Sequence, residues 1–186
     1  MTNAERILRR LDDLLSGPVH LTLYGRAAML LGFPKPKPEF ARSMDVDVVL
    51  WLGQAEELER SGNFWSALDL LNREFEPQGL YISHLFEETQ VILLPDWRDR
   101  CVAIPLACPR LSLSRLSDGD MMLSKLMRYD PIDLEDLVFI ITAAGLSPVQ
   151  VSQAVRHARI PESAEIREQF ELCKRWMISR GLCADC

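Results

Sequence analysis

Two aspartates one residue apart, Asp45 and Asp47, stand at the head of the apolar run Met44-Asp45-Val46-Asp47-Val48-Val49-Leu50-Trp51. A valine-rich run between loop residues favours extended backbone. Alternate residues of a strand lie ~6.6 Å apart and point the same way, so the two carboxylates share a face and can jointly hold one or two hard divalent cations. Phosphoryl-transfer chemistry uses such a clamp to neutralise a polyphosphate, activate the attacking oxygen and steady the leaving group. An acidic pair on the solvent side of an edge strand would look the same in isolation. Here Val49 and Trp51 continue the aspartates' face as apolar residues, while Met44, Val46, Val48 and Leu50 form the other. That pattern marks a buried strand with an acidic mouth.

The elements around this strand must position it. Upstream, His20 to Tyr24 reads as a short strand, Gly25-Arg26 as a turn, and Ala27 to Leu31 as a helix that stops at Gly32. A glycine where strand becomes helix lets a phosphate approach the backbone and meet the first amides of the next turn. Pro34, Pro36 and Pro38 alternate with Lys35 and Lys37, which predicts an extended, exposed, basic loop leading into the acidic strand.

Asn3 to Ser16 reads as an amphipathic helix, with Ile7, Leu8, Leu11, Leu14 and Leu15 opposite Arg9, Asp12 and Asp13. Asn63 is placed to cap a helix running to Phe75, before Pro77 and Gly79. Leu80 to Phe86 and Gln90 to Leu94 predict a hairpin across Glu87-Glu88-Thr89, and Cys101 to Leu106 a last strand. From Ser117 the pattern is helical: Asp120 to Tyr129, Pro131 to Ala144, Pro148 to Ala158, then about twenty residues to Gly181. The expected fold is α+β (α/β), with a mixed sheet flanked by helices over residues 1–110 and a helical region over 111–186.

Tyr24-Gly25-Arg26-Ala27-Ala28 followed by Ser43-Met44-Asp45-Val46-Asp47-Val48 resembles the glycine turn and acidic strand of the nucleotidyltransferase superfamily that includes DNA polymerase beta. The chain looks most like its small prokaryotic abortive-infection branch, the AbiEii-like type IV toxins and their relatives. Ser117-Asp118-Gly119-Asp120-Met121-Met122-Leu123-Ser124-Lys125-Leu126-Met127-Arg128 and Asp133-Leu134-Glu135-Asp136-Leu137 resemble that family's lysine helix and its downstream acidic block. With Leu93-Leu94-Pro95-Asp96-Trp97-Arg98-Asp99-Arg100, the resemblance covers roughly residues 20 to 145.

The resemblance implies a metal-dependent transfer of a nucleoside monophosphate from an NTP to an acceptor hydroxyl, on an RNA end such as that of tRNA or on a protein, and a cognate antitoxin as partner. It implies Asp45 and Asp47 as ligands of Mg²⁺ or Mn²⁺, with Asp96 as a further ligand candidate. Gly25, Arg26, Ser43 and Arg128 become nucleotide-binding candidates, Lys125 the charge stabiliser and Asp136 an auxiliary acid or base. Asp130 is read as the cap of the helix that opens at Pro131, and Asp133 as either a cap or a partner of the lysine.

Two departures stand out. Arg26 occupies the place where the family sets a small residue, so it either contacts the triphosphate or blocks the pocket. No acid lies inside the later strand runs, where the superfamily's third carboxylate is expected. The alternative is a catalytically silent protein of the same fold that binds a nucleotide or a partner.

The totals set bounds. A chain of 186 residues buries roughly 70% of its unfolded surface, so it needs no staples. Five cysteines, an odd number, and an N-terminus without an apolar leader point to a reducing cytoplasm. No run is long and apolar enough for a membrane span. The net charge of -6 argues against a broad nucleic-acid surface. Cys183-Ala-Asp-Cys186 has CxxC spacing but no second pair to complete a metal site. His20, His84 and His157 stand apart, and P-loop, dinucleotide-binding and serine-elbow patterns are absent.

Overall fold

β1 (Val19–Tyr24) is the middle strand of a five-stranded mixed sheet ordered β3-β2-β1-β5-β4. β2 (Asp45–Leu50) pairs antiparallel with β1, opposing Tyr24 to Asp47, and β3 (Tyr81–Glu87) lies parallel beside β2. On the other side β5 (Leu111–Arg115) runs parallel to β1, and the short β4 (Val102–Ala103) completes the edge. The computed structural model describes residues 1–60 and 62–184, with Ser83 and His84 described by backbone alone.

The described chain has eight α-helices and divides into two units. The first holds residues 1–87 with 101–115, and the second residues 88–100 with those from Leu116 onward. The fold is therefore α+β, a mixed sheet with flanking helices and a helical region after β5.

In the first unit, strand alternation separates two faces. Leu21 and Leu23 of β1, Val46, Val48 and Leu50 of β2, and Leu111 and Leu113 of β5 are all buried on one of them. The other carries His20, Thr22 and Tyr24, then Asp45, Asp47 and Val49, then Ser112 and Ser114. α1 (Asn3–Leu14) opens with a capping box between Thr2 and Glu5, worth about 1 kcal/mol, and packs on β2, β5 and α4 (Phe64–Phe75). Between β2 and α4 lies a helix that periodicity did not reveal, α3 (Gln54–Arg60). Asn63 does precede α4, but its side chain accepts from Ser16 N (2.8 Å) and donates to Leu14 O (2.8 Å), tying the end of α1 to α4 instead of capping.

Two strand expectations are corrected. The sheet does not end at residue 106: Leu111-Ser112-Leu113-Ser114-Arg115 alternates as a strand should and becomes β5, so the first unit continues past residue 110. Its start is held by Asp12, which is buried rather than on a polar helix face and accepts the amides of Arg110 and Leu111, both at 2.7 Å. The hairpin across residues 87–89 does not form. A 3₁₀ turn follows β3 over Glu88–Gln90, Val91 to Leu94 are buried without alternation, and Leu93 instead exchanges backbone hydrogen bonds with Arg159. Of the run from Cys101 to Leu106, Val102–Ala103 alone is strand.

The second unit contains α5 (Asp118–Ser124), which tightens into a 3₁₀ turn over Lys125–Met127, then α6 (Pro131–Ala144), α7 (Pro148–His157) and α8 (Ala164–Ser179). Asp130 caps α6 by accepting from Ile132 N (2.8 Å) and Asp133 N (3.0 Å), and Gly145 ends it in the left-handed conformation. Asp120, fully buried, accepts Leu94 N (2.8 Å) and the Ser117 hydroxyl (2.6 Å), which fixes the Leu94–Arg100 segment to α5; burial pushes its carboxyl up. No helix among the described residues is long and apolar enough to cross a membrane. Cys186 lies outside the described residues.

Candidate functional site

The Asp45–Asp47 pair sits at the head of β2, and both side chains are part-exposed while Val46, Val48, Val49 and Leu50 are buried. This is the acidic mouth of an otherwise buried strand. The Ser43 hydroxyl donates to Asp45 Oδ1 at 3.0 Å, fixing one carboxylate oxygen and leaving the other available. Ser43, a nucleotide-binding candidate by sequence, is thus placed as a partner of the first aspartate.

Gly25 begins α2 (Gly25–Gly32) directly beside Asp47. Its φ is +70°, a conformation that costs L-residues with a Cβ about 1–2 kcal/mol. A methyl group there would also collide with Asp47 Oδ2 and stand 3.3 Å from its carboxyl carbon. The glycine is needed for the turn and for the room it leaves the second aspartate. Gly25→Ala is expected to lower stability by about 2–3 kcal/mol, summing the left-handed penalty and local displacement. Urea unfolding checks this; an unchanged midpoint would refute it.

α2 receives no side-chain cap from Tyr24, the residue that precedes it. Its far end is held by Arg115, a buried β5 residue that sequence reading passed over. Arg115 Nε donates to Gly32 O at 3.1 Å, and its guanidinium lies 4.4 Å from the centre of the Phe33 ring. Gly32 accommodates this, since a Cβ there would meet the Arg115 side chain, 2.8 Å from Nε. Arg26 sits on the first turn of α2 with its guanidinium 5.5 Å from the centre of the fully buried Phe40 ring. Lys37 approaches the same ring at 5.9 Å. Phe40, in the segment that joins α2 to β2, is thus an aromatic anchor for one cation from α2, Arg26, and one from that segment, Lys37.

The remaining sequence candidates lie in the second unit. Lys125 is buried, and its ammonium donates to Asp133 Oδ1 and Asp136 Oδ2, both at 2.9 Å. Arg128, 71% exposed, donates to Asp133 Oδ2 at 2.9 Å. Two cations face two carboxylates, a balanced cluster. Helical periodicity alone would bury Leu134, Leu137, Val138 and Ile141 and leave Asp133 and Asp136 on another face of α6; instead Asp133, Asp136, Leu137, Ile140 and Ile141 are the buried residues, and Val138 is exposed. A buried lysine on the preceding turn makes this possible, because it compensates the two acids. Asp96 is exposed and pairs with Arg100 at 3.1 Å.

β3 supplies no carboxylate at the register of the acidic pair. Residues 81 and 84 oppose Asp45 and Asp47, and Glu87 opposes Leu50 at the far end. Among the described residues no three His, Cys, Asp or Glu side chains converge as a ready metal cage.

One further titratable group shares the aspartates' face of the sheet. His20 Nδ1 lies 3.1 Å from Ser112 Oγ and Nε2 lies 3.1 Å from Ser114 Oγ, and partial burial holds its pKa below the ordinary histidine value. The sign follows from linkage. The unfolded chain takes up the proton more readily, so stability rises with pH across the window from the lowered folded pKa to the ordinary value near ~6.5. Wild type is therefore expected to lose stability on acidification through that window, and His20→Asn to lose less. Urea midpoints at several pH values check this, and parallel profiles for the two proteins would refute it.

Residues 18–142 match the family described as nucleotidyltransferase of unknown function (DUF6036). No match is found among curated proteins or among solved structures. The matched span takes in the glycine turn, the acidic strand and the Lys125–Asp136 cluster, and since it covers well over half of the 186 residues, the chain belongs to this nucleotidyltransferase family.

Proposed function

We propose that the protein transfers a nucleoside monophosphate from an NTP to an acceptor hydroxyl, with Asp45 and Asp47 holding Mg²⁺ or Mn²⁺. The observation that carries this reading is the juxtaposition at the mouth of β2: two carboxylates on alternate positions, one oriented by Ser43 and the other accommodated by Gly25. The donor set is all oxygen and part-exposed, which suits a hard divalent cation. When bound, the ion supplies charge neutralisation at the triphosphate and lowers the pKa of the acceptor hydroxyl. The acceptor oxygen then bonds to the α-phosphorus as the bond to the bridging oxygen breaks. Pyrophosphate leaves with the electron pair, and the acceptor proton passes to solvent.

The chain's own residues orient and bind. Ser43 fixes the rotamer of Asp45, and the N-terminus of α2, which begins beside Asp47, favours phosphate oxygens through its dipole. Arg26 stands on its first turn, placed to add a charged contact. Lys125 is engaged by two aspartates, which supports an anchoring role within the second unit ahead of a direct one at phosphate. The acceptor class we favour is an RNA end, tRNA included, or a protein hydroxyl, in a toxin-antitoxin setting with a cognate antitoxin as in the abortive-infection branch.

Incubation with each labelled NTP, Mg²⁺ and bulk RNA tests the proposal. Metal-dependent appearance of label in RNA or protein is the expected result. A second reading, a silent nucleotide- or partner-binding protein, is favoured by the absence of an acid on β3 opposite Asp47. Nucleotide binding that is indifferent to Mg²⁺, without transfer, would establish that reading in place of the enzyme.

A further inference from the structure

Past Val49 and Tyr24, both buried and the latter's ring packed against Phe86 with centres 6.2 Å apart, the face of the sheet that carries the aspartates continues as a strip of neutral polar and aromatic groups. β1 contributes Thr22 and His20, β5 contributes Ser114 and Ser112, and Trp51 follows directly on β2. Trp51 and His20 are stacked, with ring centres 6.5 Å apart and planes inclined by 28°. His20 and Ser112 are exposed, Trp51 is part-exposed, and Thr22 and Ser114 are buried beneath them.

Ser112 Oγ gives its proton to Val19 O at 3.2 Å, which leaves a lone pair for His20 Nδ1 at 3.1 Å. With the imidazole neutral, in keeping with its lowered pKa, Nε2 is the acceptor for the Ser114 hydroxyl at 3.1 Å, and Ser114 Oγ lies 3.0 Å from Thr22 Oγ1. The far end is closed by Gln54, which donates to His20 O (2.9 Å) and accepts from Trp51 N (3.2 Å).

We infer that this strip is the nucleoside subsite: it receives the base and sugar of a nucleotide whose phosphate lies at Asp45 and Asp47. The inference rests on the nucleotidyl-transfer reading and adds to it the position of the substrate's neutral half. None of the strip's side chains carries a charge, which disfavours a phosphate or an ammonium there and suits a flat, neutral, hydrogen-bonding ring system. The stacked pair of Trp51 and His20 supplies aromatic surface against which a base packs. The spare lone pair of Ser112 and the ring of Trp51 offer one polar and one apolar contact. From Asp47 to the level of His20 is four residues of strand, ~13 Å, a span of the order covered by a metal-bound phosphate together with its nucleoside. Two sources share this chemistry, the donor NTP and the 3′-terminal nucleotide of an RNA acceptor.

The test compares Mg²⁺-dependent binding of the four ribonucleoside triphosphates, of a short single-stranded RNA, and of inorganic tripolyphosphate by titration calorimetry. The proteins are wild type, Trp51→Leu, His20→Asn and Ser112→Ala. The last two alter exposed residues and serve if Trp51→Leu folds poorly. Trp51→Leu and His20→Asn are expected to weaken the nucleoside-bearing ligand about tenfold, and Ser112→Ala by less, with tripolyphosphate affinity unchanged. Weakening confined to NTPs assigns the strip to the donor, and weakening confined to RNA assigns it to the acceptor; both support the inference. Equal NTP, RNA and tripolyphosphate affinities in wild type, or nucleotide affinities untouched by all three variants, overturn the subsite and leave the transfer reading standing. Failure of wild type to bind any of these ligands overturns both.

Discussion

Asp47→Asn is expected to cut metal-dependent label transfer by about a hundred- to a thousand-fold. Charge stabilisation by a coordinated ion contributes several kcal/mol to a phosphoryl transition state, and each 1.36 kcal/mol is a decade in rate. Asparagine keeps the size of the side chain and its fit against Gly25, so the loss reports charge and not packing. The variant should unfold at the wild-type midpoint without metal and lack the rise that Mg²⁺ with NTP gives wild type through linkage. Asp45→Asn should behave similarly. Ser43→Ala should lose much less, because it frees the Asp45 rotamer without removing a ligand. Wild-type turnover in Asp47→Asn would dismiss the acidic pair as the metal site.

The features the sequence displayed most clearly are those whose signals are local. The acidic strand, the glycine turn beside it, the α4 span and the cap of α6 each announce themselves within a few residues through alternation, φ > 0 chemistry or a side chain beside its own amides. The family assignment rests on the same local blocks. What escaped depends on partners distant in the chain. β5 is an alternating pentapeptide whose meaning comes from parallel pairing with β1, some ninety residues earlier. Asp12 looks like any polar residue on an amphipathic helix until the start of β5 is brought to it.

The same reasoning explains the reversed face of α6. Periodicity puts apolar residues inside and acids outside, and a helix breaks that rule when a buried cation from another element repays the desolvation of its carboxylates. Lys125 was singled out for catalysis because of its motif; its burial between two acids could not be read from spacing. Arg115 is a parallel case, since a basic residue at a strand end gives no hint that it will cap the helix behind the glycine turn. Each of these groups buries charge for the sake of geometry, and each holds an element next to a position the motifs had already marked.

Lys125→Met is expected to lower stability by about 3–5 kcal/mol, the range for removing one partner of a buried ion pair. Its side chain is 10% exposed, and those of Asp133 and Asp136 are 5% and 0%. Asp133 keeps Arg128 in the variant, but that arginine is mostly in solvent and compensates weakly. Asp136 loses the ammonium at 2.9 Å. Lys125→Met combined with Asp136→Leu should recover most of the deficit, because well-packed apolar replacements of a buried pair are often neutral or better. Urea unfolding of wild type and the two variants reads the deficit and its recovery; a loss under about 1 kcal/mol in the single variant would show that the pair does not hold the unit together. The folded double variant then separates structure from chemistry. If Lys125 anchors α5 to α6, the double variant still transfers label near the wild-type rate. If its ammonium leaves the aspartates to meet a phosphate, the double variant folds and is silent.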